Sequence, residues 1–259
     1  MNFRRYLPLA LPLAILSCAA PSALGPNGAV QIRQSSPTLV SEGAQAFNEL
    51  KSQKKISTNS SYRSQVDRVS SRLTRVINLP NAQWEFVVFD DATPNAFALP
   101  GGKVGINTGL FQITQNDAGL ATVLAHEIAH VTSNHADARL KNQSSIGLGA
   151  GLGGAIIGGL LGGQSTEAAT QLLSGVSNIA FGLTFSRSQE LEADRIGVLF
   201  MARAGYDPNQ SIAMWQRFAD YNNARGNQGA EFLRTHPLNE TRINSLREFL
   251  PTALNEYRN

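Results

Sequence analysis

Apolar residues recur every three or four positions over much of the chain, which predicts a largely helical fold. The first clear apolar stripe begins at Tyr62 and stops at Leu79-Pro80. Further helices are predicted to begin near Asn116-Asp117, to run from Ser186 to Gly205, and to cover residues 211–221 and 240–250.

A different pattern precedes the helix predicted near Asn116. Residues 84–89 form a short apolar run typical of a buried strand, and residues 95–99 and 103–107 flank the turn Pro100-Gly101-Gly102. These two segments predict a hairpin that lies against the following helix. The sequence therefore predicts an α+β domain that is mostly helical and carries a small sheet.

The first residues have the pattern of an export signal. Arg4 and Arg5 precede an apolar run over residues 7–16, which is too short to span a membrane, and small residues follow it. The chain has one cysteine, Cys18, in the sequence Ile15-Leu16-Ser17-Cys18, which resembles a bacterial lipobox. We therefore expect a signal peptide over residues 1–17 and lipidation of Cys18; the alternative is ordinary signal cleavage near Ala20 or Ala23.

Residues 18–61 are rich in Ser, Pro, Gly, Gln and Asn, which favours a tether leading to a folded domain over residues 62–259. Within that tether a short helix is possible around residues 42–50. The net charge of +3 and the absence of a dense basic run argue against a nucleic-acid partner. A pI of about 9.2 is compatible with weak attraction to anionic membrane surfaces.

The candidate chemistry centres on His126-Glu127-Ile128-Ala129-His130, an HExxH motif inside a predicted helix. Histidines four positions apart lie on one face of a helix and can bind one metal ion, while Glu127 lies at the edge of that face. Apolar residues on both sides of the motif predict that the helix is buried. Buried histidines need partners, so a shared Zn²⁺ is a better explanation than a solvated helix face.

A catalytic zinc usually has three protein ligands. The pattern HExxHxxGxxH fails, because Ser133 and Ala136 replace its glycine and histidine, and His135 is predicted to lie at the surface or in a second layer. Glu190 and Asp194 open the helix that Gly205 ends, again four positions apart. We expect Glu190 to complete the zinc site and Asp194 to accept a hydrogen bond from His126, with Glu192 facing solvent.

Two apolar stretches over residues 146–163 and 171–185 lie between these motifs, and the first is rich in glycine. Each is shorter than the roughly 20 residues of a membrane-spanning helix. They are predicted to form a helical hairpin, which either packs inside the protein or contacts a lipid surface.

The ordered motifs His126 to His130, Glu190 to Asp194, and His236-Pro237 with Arg242 resemble those of the HtpX and CAAX-prenyl-protease family of zinc metallopeptidases. The resemblance covers roughly residues 60–250 and is greatest to the soluble, lipid-anchored bacterial branch. It implies a zincin-like (gluzincin) fold and peptide-bond cleavage.

The resemblance also implies roles for further residues. His236 is expected near the zinc as a catalytic residue that donates a hydrogen bond to the carbonyl oxygen of the transition state; the alternative is that it covers the open zinc position in the resting enzyme. Arg242 is expected in the second layer. Substrate is expected to pair with an edge strand that includes Asn95, Ala96, Phe97 and Ala98.

Together these observations predict a metalloendopeptidase with one Zn²⁺ per chain bound by His126, His130 and Glu190, and with Glu127 as the general base. The resemblance implies a role in cell-envelope protein quality control, with envelope or misfolded proteins as substrates. We expect the protein to be lipid-anchored in the cell envelope, and the resemblance implies the outer membrane facing the periplasm; a soluble periplasmic or secreted protein is the alternative. The alternative functions are a zinc-containing chaperone or binding module and a peptidase acting on short peptides only.

We predict that Cys18→Ser abolishes labelling by a fatty-acid probe and moves the protein into the soluble fraction, because the substitution removes the only thiol that a lipid can modify. Labelling and membrane fractionation of cells that produce each form would measure both effects. Unchanged membrane association after loss of the label would instead assign membrane contact to residues 146–163.

Overall fold

The structure is a computed structural model that describes residues 22–80, 82–139, 184–226 and 230–258. The predicted signal peptide, Cys18 and the glycine-rich stretch 146–163 lie outside these residues, as does most of the second apolar stretch. Among the residues described, no helix is both long enough and apolar enough to cross a membrane.

The elements follow one another as helices interrupted by one small sheet. The helices are α1 (Pro37–Gln53), α2 (Ser60–Arg75), α3 (Phe111–Thr114), α4 (Asp117–Thr132), α5 (Arg187–Arg203), α6 (Asn209–Arg225), α7 (Phe232–Thr235) and α8 (Glu240–Arg258). The strands are β1 (Glu85–Phe89), β2 (Ala96–Leu99) and β3 (Lys103–Asn107). The predicted α+β class is confirmed, although α8 continues past the predicted end at residue 250 and through Pro251.

The predicted hairpin is confirmed as β2 and β3, which pair antiparallel across Gly101 and Gly102. Both glycines have positive φ, +84° and +87°, which residues with a side chain rarely adopt. In the described part of the chain β1 pairs with β3 in parallel, giving the strand order β1-β3-β2. Strand β2 therefore lies at one edge of the sheet.

Helix α4 runs through the centre of the domain and is buried from Gly119 to Thr132. It packs most extensively against α5, and also against α2, α6 and β2. Gly197 permits the close approach of α5, because a Cβ atom at that position would lie 3.1 Å from the backbone nitrogen of His126. The prediction that the HExxH helix is apolar on both sides and buried is confirmed.

The tether predicted over residues 18–61 differs from the structure, because its described part packs on the domain. Helix α1 buries Phe47, whose ring lies 6.3 Å and 6.4 Å from the rings of Phe89 and Phe97 between centroids. Ahead of α1, the backbone N–H of Arg33 donates to the carbonyl of Thr132 at 2.7 Å. The polar composition of this segment concealed the few apolar residues that attach it.

Candidate metal centre

Helix α4 presents His126 and His130 on one face, with their Nε2 atoms 3.1 Å apart. The helix begins where the Asn116 side chain accepts a hydrogen bond from the backbone N–H of Gly119 at 2.8 Å. Both imidazoles are at most 4% exposed. The one-face arrangement that the spacing predicts is therefore present.

Helix α5 places Glu190 and Asp194 opposite those histidines. Its first turn is fixed by a reciprocal pair of hydrogen bonds between Ser186 and Gln189, the arrangement known as a capping box. The Glu190 carboxylate oxygens lie 3.3 Å from His130 Nε2 and 3.5 Å from His126 Nε2. The capped first turn of α5 thus places the Glu190 side chain next to the two histidines.

His236, which follows α7, completes the group. Its Nδ1 lies 2.9 Å from a Glu190 oxygen and 3.3 Å from His126 Nε2, while its Nε2 lies 3.3 Å from Glu127. The ring stacks on Phe232 with 4.4 Å between centroids. His236 thus lies between the predicted metal ligands and the predicted general base.

One donor atom from each of His126, His130, Glu190 and His236 lies within 4.8 Å of the other three, and all four residues are buried. Ligand atoms of a tetrahedral zinc with bonds of about 2.0–2.1 Å are about 3.3–3.4 Å apart. The observed separations of 3.1–3.5 Å between the donors on His126 and their neighbours match that geometry. The donor set therefore fits one zinc ion.

The charges around the centre lead to the same conclusion. Glu127, Glu190 and Asp194 are buried carboxylates, and Arg242 is the buried guanidinium among them. With the carboxylates ionised and the histidines neutral, this group has a net charge of −2 in a site of low dielectric constant, where such an excess is costly. The excess also acts on His126: burial lowers its pKa, but Glu190 and Asp194 raise it to about 9. A divalent cation balances this excess.

Arg242 and Asp194 form a rigid support behind His126. Two nitrogens of Arg242 donate to the two Asp194 oxygens at 2.7 Å each, and a third lies 2.6 Å from Glu190. Asp194 is in turn 3.0 Å from His126 Nδ1. Because a carboxylate only accepts hydrogen bonds, this proximity favours a proton on Nδ1 and directs the Nε2 lone pair of His126 towards the centre.

Burial and charge shift the pKa values of the acidic groups in opposite directions. Burial raises the pKa of Glu127, and the attraction of His236 and His126 only partly offsets it. Burial alone would also raise the pKa of Glu190, but His236 and Arg242 overcome that effect and hold it well below its usual value. Glu190 is therefore ionised, as a metal ligand must be, while the affinity of Glu127 for a proton is increased.

Of the two positions predicted for His135, the second layer is the one observed, since the residue is 3% exposed and its Nδ1 lies 2.8 Å from His130 Nδ1. Helix α4 ends at Thr132, and the chain turns at Asn134, whose φ is +57°, before it reaches His135. The prediction that Glu192 faces solvent was wrong, because its side chain is only 14% exposed and lies 2.8 Å from His135 Nε2.

Sequence reasoning missed the aromatic residues around the centre. The Phe185 ring lies 3.8 Å from the His130 ring and 5.0 Å from the His236 ring, and Trp215 lies 5.3 Å from His126, between centroids. A single aromatic residue has no characteristic spacing that would indicate a metal site. A buried tryptophan is also expected in any hydrophobic core. Their rings exclude water from the donors.

The predicted substrate strand lies beside the centre. Of Asn95, Ala96, Phe97 and Ala98, the last three belong to edge strand β2, and the Ala98 backbone is close enough to Glu127 to lower the pKa of that carboxyl slightly, against the larger effect of burial. The Phe97 side chain packs with Phe47 and Phe89 instead. The contribution of this strand to the site is therefore made by its backbone.

Comparison with known proteins gives a consistent set of relatives. A model of peptidase family M48 matches residues 60–250. The chain is 35% identical over 188 residues to mitochondrial metalloendopeptidase OMA1 of Schizosaccharomyces pombe, covering 73% of this chain and 53% of the relative. It is 38% identical over 184 residues to OMA1 of Saccharomyces cerevisiae, covering 68% and 49%. It is 31% identical over 182 residues to the beta-barrel assembly-enhancing protease of Escherichia coli, covering 69% and 37%. The chain thus spans about half the length of the OMA1 relatives, and less of the bacterial one.

Proposed function

We infer that this chain, which belongs to peptidase family M48, is a zinc-dependent metalloendopeptidase that cleaves peptide bonds in proteins. The observation that carries this proposal is the buried donor set of His126, His130, Glu190 and His236 with Glu127 directly beside it. The printed names of the relatives, metalloendopeptidase and protease, support the same activity.

A zinc ion held by His126, His130 and Glu190 would supply an activated water and polarise the scissile carbonyl. Glu127 takes a proton from the attacking water, for which its raised pKa suits it. The same carboxyl group then delivers the proton to the nitrogen of the leaving amine. Asp194 and Arg242 keep His126 and Glu190 in position during these steps.

We propose that substrate pairs in extended form with strand β2. An edge strand offers backbone groups to a peptide and reads few side chains, which suits an enzyme that acts on many sequences. The position of β2 at the edge of the sheet and its packing against α4, the helix that carries Glu127, support this placement.

For His236 we propose the covering role in place of the predicted transition-state role. Its Nδ1 lies 3.3 Å from His126 Nε2 and 2.9 Å from a Glu190 oxygen, separations that suit a fourth ligand of the same ion, and such a ligand would fill the position that water or substrate needs. A zinc with four protein ligands is also typical of a structural site, as in the alternative chaperone or binding module. Glu127 argues for the enzyme, because a structural site gains nothing from a buried carboxylate that is not a ligand.

We further propose that the enzyme acts in protein quality control in the cell envelope, anchored through a lipid on Cys18. The export pattern and lipobox of the first residues support this location. The name of the E. coli relative, which refers to β-barrel assembly, supports a role in the envelope. Protein substrates follow from the proposed endopeptidase activity.

We predict that Glu127→Gln retains zinc but loses at least about 10²-fold in the rate of casein cleavage, because it removes the base while conserving shape. Metal content by atomic emission and turnover of a fluorescent casein would measure the two properties. Cleavage at the wild-type rate by the zinc-loaded variant would refute the mechanism. His130→Ala serves as the contrasting variant, since it should lose zinc as well.

The two roles of His236 predict opposite effects of His236→Ala on the zinc-loaded enzyme. A covering ring predicts higher basal cleavage of a short peptide. A transition-state donor predicts a fall in kcat of about 10²–10³. We expect the rise, and unchanged kcat and KM would reject both roles.

Substrate pairing with β2 predicts that Ala98→Pro raises KM or abolishes cleavage, because proline removes the backbone N–H. Ala98→Gly is the matched control, since it shortens the side chain but retains that N–H. Circular dichroism would establish that both variants fold. Equal kinetics for the two folded variants would place the substrate elsewhere.

A further inference from the structure

The structure assigns to His135 and Glu192 a positioning role for the metal ligand His130, through a relay that runs from Glu192 to His135 to His130. This inference rests on the proposed function, since it concerns the same zinc centre. Both links are 2.8 Å long, the first between a Glu192 oxygen and His135 Nε2 and the second between the Nδ1 atoms of His135 and His130. His130 and His135 are buried, and the Glu192 side chain is 14% exposed, so the bond between the two histidines is shielded from water and the bond to Glu192 is largely so.

The Glu192 carboxylate at one end of the relay determines the direction of both hydrogen bonds. A carboxylate can only accept, so the proton of neutral His135 lies on Nε2 and its Nδ1 presents a lone pair. That lone pair accepts from His130, whose proton must then be on Nδ1. His130 consequently presents the Nε2 lone pair, the atom that faces His126 and Glu190, to the metal.

The relay is the counterpart of the contact that orients His126. There Asp194 reaches the ligand directly, at 3.0 Å from His126 Nδ1. His130 lies one turn further along α4, and among the described residues the group that contacts its Nδ1 is His135. An intervening imidazole lets a carboxylate two positions after Glu190 determine the tautomer of the second histidine.

The N-terminal segment holds Glu192 in the orientation that the relay needs. The other Glu192 oxygen accepts from the Ser22 hydroxyl and from the backbone N–H of Ala23, each at 2.5 Å. Ala23 itself is fully buried. With one oxygen occupied by these donors, the second oxygen is directed to His135.

The test measures zinc affinity of the full chain by competition with a chromophoric chelator, using zinc alone as the probe. His135→Leu removes the acceptor while filling similar space, and we expect the Kd for zinc to rise about 10- to 100-fold. His135→Asn keeps an oxygen near the place of Nδ1 that can accept from His130. It should recover most of the affinity, which a purely space-filling role does not predict.

Glu192→Gln tests the other end of the relay without a change of shape. Because the Ala23 N–H must donate, the glutamine oxygen stays on that side and the amide nitrogen faces His135 Nε2. Because the amide nitrogen donates to His135 Nε2, His135 must carry its own proton on Nδ1. His135 Nδ1 then donates to His130 Nδ1, so the His130 proton lies on Nε2, the nitrogen that faces the metal. We expect a rise of about 10-fold or more in Kd, since metal binding must displace that proton.

Glu256→Gln is the matched control. Glu256 also forms a pair that involves α5, with Arg203 at 3.0 Å, but it is remote from the zinc donors. It should leave the Kd for zinc unchanged, whatever its effect on thermal unfolding. In the His135→Leu background, Glu192→Gln should add no further loss of affinity, because the relay is already broken.

Kd values within twofold of wild type for both Glu192→Gln and folded His135→Leu would overturn the relay. Additive losses in the double variant would also overturn it. If His135→Leu fails to fold, the isosteric Glu192→Gln decides alone. Failure of the relay with a wild type that binds zinc and cleaves casein leaves the proposed function intact, whereas a wild type that binds no zinc rejects both.

Discussion

The close packing of α5 on α4 is the constraint on which the metal centre depends. The two helices carry the HExxH histidines and Glu190, and Gly197 favours their close approach, because a Cβ atom there would lie 3.1 Å from the His126 backbone nitrogen. Any larger residue would place a Cβ atom against the backbone of His126. The sheet, α2 and α6 then enclose α4, so that the donors are held in a dry interior where charges interact strongly.

Burying so much charge requires that each group be paired, and Arg242 links most of the pairs. It binds Asp194 through two bonds, contacts Glu190, and donates to the carbonyl of Pro237 at 2.9 Å. One guanidinium therefore fixes a metal ligand, the group that orients another ligand, and the backbone beside His236. Such a site is strongly specified when every member is present, since removing one partner leaves a buried charge uncompensated.

The sequence was sufficient to predict those residues whose positions follow from local helical or strand spacing. The histidines of the HExxH motif, Glu190 with Asp194, and the Pro-Gly-Gly hairpin all lie where helical or strand periodicity predicts. It was insufficient where the chain changes direction. The turn at Asn134 brings His135 against His130, and the docking of residues 22–36 buries Ala23 beside Glu192. Both depend on contacts between distant segments, which a periodic pattern does not encode. His236 was predicted near the zinc only by family resemblance.

The same contacts connect the N-terminal segment to the candidate metal centre. Residues 22–36 lie between the predicted lipid anchor and α1, and they bind both the end of α4 and Glu192. Ordering a polar segment costs conformational entropy, so its attachment to the domain adds little stability by itself. Its hydrogen bonds to Glu192 instead lead through His135 to the proposed zinc ligand His130. In the proposed enzyme, the segment that follows the anchor is therefore also part of the scaffold that orients the metal centre.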